Sequence, residues 1–390
     1  MNSERKIYKT ADLCCGIGGM RRGFEMTGRF KNVLSAEIDE QACKTYLHLF
    51  GDDPHNDLMS DDFIAQVDCS DYEILLAGFP CQAFSAVGNE QGFNDKTRGT
   101  VFFHIARAMT HHRPQAILLE NVENLVRHQQ GCTFRIILEK LENELNYRVV
   151  GVSRDENGKL LYDWHDFIRN SRNFGIPQNR PRTYIVAFDG DRFEAEQLAA
   201  LPKRIPDHRD EVVYETLDDL LELGAPAEYY MASGYLETLK RHKVRQKKKG
   251  SGYGYKVVND PSKKNHCANT ILATGGSGKE RNLVYDPQKG IEGMLIPTKK
   301  TPLNGEGLRF MTPREWGKLQ GFIGYGFMET GTDTFSFPDK TPKTQQYKQF
   351  GNSVTIPVIR TMAEFIADCL DKLNCLDKSS SGIVENYKNE

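Results

Sequence analysis

Asp71-Tyr72-Glu73-Ile74-Leu75-Leu76-Ala77-Gly78-Phe79-Pro80-Cys81-Gln82-Ala83-Phe84-Ser85 runs through a short apolar block into a turn that carries a thiol. Residues 74–77 form a continuous apolar run of strand length, the pattern of a strand buried on both faces of a parallel sheet. Gly78 and Pro80 end it, because Pro80 has no N–H for a ladder and restrains Phe79. Cys81 is therefore expected just beyond the carboxyl end of a strand, the edge at which open α/β sheets bind ligands. Taken alone it reads either as a small buried hydrophobe or as a nucleophile.

The flanking sequence repeats the strand signal. Apolar runs at 10–13, 32–36, 116–119 and 183–188 alternate with stretches at 41–50, 102–111 and 134–145 whose apolar residues recur at three- and four-residue spacing. Such alternation implies βαβ units with right-handed crossovers, hence a doubly wound α/β domain with a parallel sheet. After residue 190 the rhythm is lost. Residues 225–307 mix short strand-like pieces with glycines, prolines and a charged run, as in a second, irregular domain, and 356–370 reads as an apolar-faced helix before a polar tail.

The 390 residues suffice for one large domain and a smaller one. A net charge of −2 gives no global attraction for a polyanion, so nucleic-acid binding would need a local patch. The start is polar and no apolar run reaches membrane-spanning length, so a soluble chain is expected. Nine cysteines, without CxxC or His/Cys ligand spacing, favour a reducing cytoplasm over disulfides or zinc, and no metal is expected.

Four further motifs carry chemistry. Asp12-Leu13-Cys14-Cys15-Gly16-Ile17-Gly18-Gly19 follows the first strand, and its glycines allow close backbone approach to a ligand. Glu37, ending the second strand, suits a ribose diol, so the pair suggests an adenosine-containing cofactor or merely a tight turn. Asp57 suits an adenine amino group or a solvated surface equally. Glu120, in Leu119-Glu120-Asn121-Val122, needs a partner or a task at the end of so apolar a strand, with helix capping as the alternative. Arg180 and Arg182 alternate at a strand start, placing two guanidinium groups on one side for an anion, a carbonyl or another active-site side chain. Gln349-Phe350-Gly351-Asn352-Ser353-Val354 forms a turn before a helix, able to cap it or to line a cofactor.

As a set these motifs, together with Leu308-Arg309-Phe310-Met311-Thr312-Pro313-Arg314-Glu315, resemble the cytosine-5 DNA methyltransferase family in order and spacing over about residues 9–359. The resemblance implies a Rossmann-like catalytic, cofactor-binding domain over 1–190 and 345–376. A target recognition domain and hinge would occupy 191–344, with a polar tail at 377–390. It implies S-adenosylmethionine as methyl donor and a cytosine flipped from double-stranded DNA as substrate. Cys81 would add to cytosine C6, Glu120 would hydrogen-bond the ring, Arg182 would hold its O2, and Arg180 would support Arg182. The implied cofactor residues are Asp12, Cys14, Gly16, Ile17, Gly18, Gly19, Glu37, Ile38, Asp57, Leu58, Gly78, Asn352, Ser353 and Val354. Cys14 departs from the family, which usually has phenylalanine there.

Implied DNA contacts are Gln82, Ser85 and Arg98 around the catalytic turn, and Lys243, Arg245, Ser251, Tyr253 and Thr270 in the recognition region. Residues 240–264 hold ten Lys or Arg against one acid, Asp260, a local charge of +9, and Gly250-Ser251-Gly252-Tyr253-Gly254-Tyr255 follows the dense part at 240–249 at once. That combination suits phosphate clamping with close approach to a groove. A tRNA methyltransferase on the same scaffold would characteristically carry Pro-Cys-Gln-Pro-Phe-Thr, where this chain has Ala83 and Ser85. A non-enzymatic DNA-binding module is disfavoured by the intact Cys81, Glu120 and Arg182. The overall pattern resembles prokaryotic or phage enzymes, including those paired with a separately acting restriction endonuclease, and a monomer is expected.

Overall fold

The structure is a computed structural model and describes residues 5–80, 101–222, 224–251, 253–274 and 278–381. The chain divides into two compact units: Met1–Arg169 with Pro181–Arg209 and Val358–Glu390, and Asn170–Arg180 with Asp210–Pro357.

In the first unit, β1 (Tyr8–Leu13), β2 (Phe30–Ala36), β3 (Ile74–Gly78), β4 (Ala116–Val122), β5 (Tyr147–Val149) and β6 (Pro181–Asp189) lie in the sheet order β2-β1-β3-β4-β6-β5. The first four are mutually parallel where they pair. Ile74, Leu75, Leu76 and Ala77 are fully buried, as an apolar run flanked on both sides by strands should be. Burying each of the larger three contributes roughly 1.5–3 kcal/mol.

Alternate residues sort the two faces. Ala11, Leu13, Leu75, Ala77, Ile117 and Leu119 pack in one core with side chains of α3 (Asp61–Cys69), α4 (Val101–His111) and α5 (Cys132–Glu139). On the other face Tyr8 accepts a hydrogen bond from Asn374, and Arg29 pairs with Asp371. Those partners belong to the long C-terminal helix Ile356–Ser381, which also packs on α1 (Gly19–Glu25), where a Cβ at Gly23 would lie 2.6 Å from Ile359. Helices thus cover both faces, the doubly wound arrangement. The chain order reverses between β1 and β3, which opens a crevice at their carboxyl ends.

One strand departs from the parallel expectation: β6 runs antiparallel to both β4 and β5. A strand's direction depends on what it pairs with, which local periodicity does not record. The consequence is functional, because an antiparallel β6 brings its first residues beside the carboxyl end of β4.

Among the described residues the second unit has only two-stranded sheets. Gln178–Asn179 pairs parallel with Ala268–Asn269, and Leu283–Tyr285 pairs antiparallel with Leu308–Phe310. Met231, Leu236, Leu283 and Leu308 form a small core, and Phe322, Phe327, Phe335, Phe337 and Phe350 an aromatic cluster. Arg309 is buried between Glu315 and Asp286, while Thr312 and Glu315 form a capping box on the helix Pro313–Leu319. The motif at 308–315 is therefore a structural brace.

Candidate active site

At the carboxyl edge of the first unit's sheet, Gly78 of β3 stands opposite Glu120 of β4, and Arg182 of β6 stands opposite Val122. Glu120 and Val122 extend β4 beyond its apolar run because β6 continues to pair with them. Arg182 Nε lies 3.3 Å from Glu120 Oε1, with the two side chains 14% and 12% exposed. A carboxylate this sheltered needs a cation, and the pair leaves both groups facing the edge at partial solvent access. A Cβ built at Gly78 would lie 3.5 Å from Glu120 Oε2 and 3.3 Å from Met20 Cε, so the carboxylate sits against the backbone from which the chain continues to Cys81. Cys81, Gln82, Ser85 and Arg98 lie outside the described residues.

Asn121, which the sequence offered only as a possible helix cap, has a different place. It faces away from Glu120 on the strand, is 2% exposed, and its amide donates to the Phe79 carbonyl at 2.7 Å. Its own oxygen accepts the Val122 N–H at 2.9 Å. The signal available was the period of two, which puts position 121 on the buried side of β4, where an amide must find partners.

The turn after β1 forms a cradle in the same unit. Cys14, Gly16 and Gly18 all have left-handed φ, at 57°, 56° and 77°. Gly18 is required twice over, since a Cβ there would also come within 2.2 Å of the Phe50 ring. Cys14 adopts this conformation without being glycine, packs partly against the core, and its thiol is pushed up to about 12 by burial. Glu37 accepts the Gly16 N–H at 2.8 Å on one oxygen and those of Ile38 and Asp39 at 2.8 and 2.9 Å on the other. With two acceptor sites per oxygen, Oε2 keeps one for a ribose hydroxyl, while Oε1 is taken up by the two backbone N–H groups. Ile38 is 63% exposed beside it, an apolar surface of the kind a purine covers. These residues fit an adenosine-containing methyl donor.

Asp12 is fully buried beneath the turn. One oxygen accepts the Arg21 N–H at 3.2 Å and the other has no hydrogen-bond partner. Burial pushes its carboxyl up to about 7, against the opposing pull of Arg21. Ile17 and Leu58 are buried. Asp57 is exposed, with one oxygen accepting the Met59 N–H at 2.9 Å.

In the second unit Arg180 does other work than expected. Its guanidinium donates to the carbonyls of Ile271, Gly351 and Ser353 at 2.9, 3.0 and 2.6 Å. The two arginines of the motif, suited by sequence to an anion, a carbonyl or another active-site side chain, meet different partners: the Glu120 carboxylate for Arg182 and a set of backbone carbonyls for Arg180. Asn352 is an exposed residue ending the helix Lys343–Asn352, Ser353 is its C-cap, and Val354 is buried.

The basic run forms the exposed C-terminal half of the helix Ser233–Lys248, anchored by Leu236 and Leu239. Lys240 is engaged by Glu237 and Glu306, and Lys243 lies 4.4 Å from the Tyr255 ring centroid. Arg245 is exposed, and Tyr253, 58% exposed, stands edge-on to His242. Ser251 Oγ accepts the Tyr253 N–H at 3.2 Å, and Thr270 donates to the Asn179 carbonyl at 2.8 Å. The helix and the Gly/Tyr stretch make one cationic, aromatic surface.

Among the described residues, no helix is long and apolar enough to cross a membrane. The sequence model for the C-5 cytosine-specific DNA methylases matches residues 8–368. The chain is 38% identical over 371 residues to the type II methyltransferase M.HpaII of Haemophilus parainfluenzae, covering 95% of this chain and 92% of that one. It is also 38% identical over 371 residues to M1.ScrFI of Lactococcus lactis subsp. cremoris, covering 95% and 81%. Among solved structures it resembles the S. pombe Dnmt2 methyltransferase in fold, with a TM-score of 0.63 at 19% identity over 94% of this chain and 99% of that one.

Proposed function

Because the chain belongs to the C-5 cytosine-specific DNA methylases and is a DNA cytosine-5-methyltransferase, we propose that it methylates a cytosine flipped out of a specific double-stranded DNA sequence, through a covalent bond from Cys81 to C6. The observation that carries this is the Glu120–Arg182 pair at the sheet edge, three residues along the chain from Cys81 at Gly78. S-adenosylmethionine supplies an electrophilic methyl group when bound, and the turn at Cys14–Gly18 with Glu37 and Ile38 is the part of this chain suited to hold its nucleoside.

The Cys81 thiolate attacks C6 and the C5–C6 electron pair moves onto C5 and the ring. Glu120 hydrogen-bonds the ring nitrogen and exocyclic amine, and Arg182 holds O2, where charge accumulates. C5 would then take the methyl group, the S–CH3 bond breaking with its electron pair left on the donor's sulfur. Loss of the C5 proton to water returns its electron pair to the C5–C6 bond and expels the Cys81 thiolate. Covalent addition thus makes an electron-poor carbon nucleophilic. The ion pair fits this sequence because Glu120 holds Arg182 while both retain access to the edge.

The DNA reading rests on charge: a chain of net −2 gathers exposed cations on one helix and follows it with tyrosines. A cognate endonuclease acting separately accords with the names of the relatives, and a cytoplasmic monomer is the proposed working form.

Duplex DNA containing 5-fluorocytosine blocks loss of the C5 substituent and should trap a denaturant-stable adduct when cofactor is present. Cys81→Ser should form none, and Arg182→Lys should slow adduct formation by about a hundredfold. A wild-type protein that forms no adduct would sink the covalent reading.

A further inference from the structure

Arg180 is 2% exposed and sits at the centre of a polar core within the second unit. Besides the three carbonyls it holds, Gln178 donates to the Leu319 carbonyl at 2.8 Å and accepts the Ile271 N–H at 3.2 Å. Gln320 donates to the carbonyls of Phe350 and Ser353 at 2.8 and 3.0 Å, and its own oxygen accepts from Thr355 at 2.9 Å. The backbone from Phe350 to Ser353 therefore has three carbonyls in the grip of two side chains. It is also pressed from outside, since a Cβ at Gly351 would lie 2.4 Å from the Leu272 carbonyl oxygen. A planar guanidinium can address several fixed carbonyls at once, which a lysine ammonium cannot do from the same place.

We propose that Arg180 is a positioning residue for the cofactor: it fixes the backbone of 351–353 so that Asn352, Ser353 and Val354 are presented in one conformation. This rests on the reading that those three residues hold the methionine end of S-adenosylmethionine. It separates the two arginines of one motif by role, since Arg182 acts on the base and Arg180 on cofactor affinity. Ile271, gripped by the same guanidinium, follows Thr270 directly, so the short strand Ala268–Asn269 and the cofactor segment share one brace.

The test uses the full-length protein with S-adenosylhomocysteine as the titrated probe, and single-turnover methylation of duplex DNA at saturating S-adenosylmethionine. Arg180→Lys should weaken the probe's binding by about tenfold or more, while the saturated single-turnover rate stays within about threefold. Gln320→Met, which removes only the second grip, should shift affinity in the same direction by less, and it decides the matter if Arg180→Lys does not fold. Urea melts of each variant separate a general loss of stability, which leaves the affinity of the folded fraction unmoved, from the affinity loss expected here. Asn352→Ala, at an exposed position, tests the underlying reading: wild-type affinity there overturns the assignment of 352–354 to the cofactor. Weakened binding in Asn352→Ala with wild-type affinity in Arg180→Lys and Gln320→Met overturns the role of Arg180 alone. So does an Arg180→Lys protein that binds normally but is slow at saturation.

Discussion

Removing the Asn121 amide would leave the Phe79 carbonyl without its 2.7 Å donor in a buried setting. An unmatched buried polar group costs about 1–3 kcal/mol, and here the orphan lies two residues before Cys81. Asn121→Ala should therefore lower the unfolding free energy from urea melts by that amount and slow 5-fluorocytosine adduct formation, while affinity for S-adenosylhomocysteine stays at the wild-type level. Adduct formation at full speed would confine Asn121 to stability. Asp12 makes a different prediction at the same scale. Its carboxyl is raised by burial to about 7 in the folded chain, so between its ordinary value of about 4 and that value the folded state holds more protons than the unfolded one. Its contribution is fully present at low pH and is lost as pH rises through about 7. Asp12→Asn should flatten the decline in urea stability between about pH 4 and pH 7, and an unchanged decline would assign it to other groups.

At the scale of elements, the parallel core strands and the helices beside them were legible because buried apolar runs and three-four spacing are local properties. The glycine turn and Glu37 were legible for the same reason, each being the end of a recognisable strand. The direction of β6 was not, since it is fixed by the partners β4 and β5, and it is that direction that sets Arg182 beside Glu120. The division of labour between Arg180 and Arg182 was equally hidden: two-residue alternation places them on one side of a strand but says nothing of what each meets. α3 was not among the stretches picked out by three-four spacing; Ser60 caps it on the Phe63 N–H, and Asp61 and Asp62 favour its N-terminus. The basic run was legible as charge but not as a helix. On Ser233–Lys248, Arg241, Arg245 and Lys248 share one exposed stripe about 10 Å long. If that stripe lies along DNA phosphates, changing all three to Gln should reduce the slope of log affinity against log salt by about three units, with turnover at saturating DNA unchanged. A slope equal to wild type would leave the helix as a solvated arm.

Across the whole molecule the two units are held together by different means. The first relies on a twisted sheet with helices on both faces, and most of its stability comes from apolar burial that no one residue controls. The second has short strands and a small apolar core, and it places a cation at the centre of its bracing. Arg309, almost wholly buried, bonds both oxygens of Glu315, at 2.8 and 2.9 Å, and reaches Asp286 at 2.7 Å. Replacing one member of such a cluster strands the remaining charge, at a cost of about 3–5 kcal/mol. Arg309→Met should thus loosen the second unit far more than the first. Hydrogen exchange resolves the two, because local opening lowers protection only where contacts are lost. Amides of Leu308–Phe310 and of residues 314–319 should exchange faster in the variant while those of β1, β3 and β4 keep their protection. Adding Glu315→Met should recover part of the loss by removing the stranded carboxylate. Equal acceleration in both units would overturn the local character of this brace.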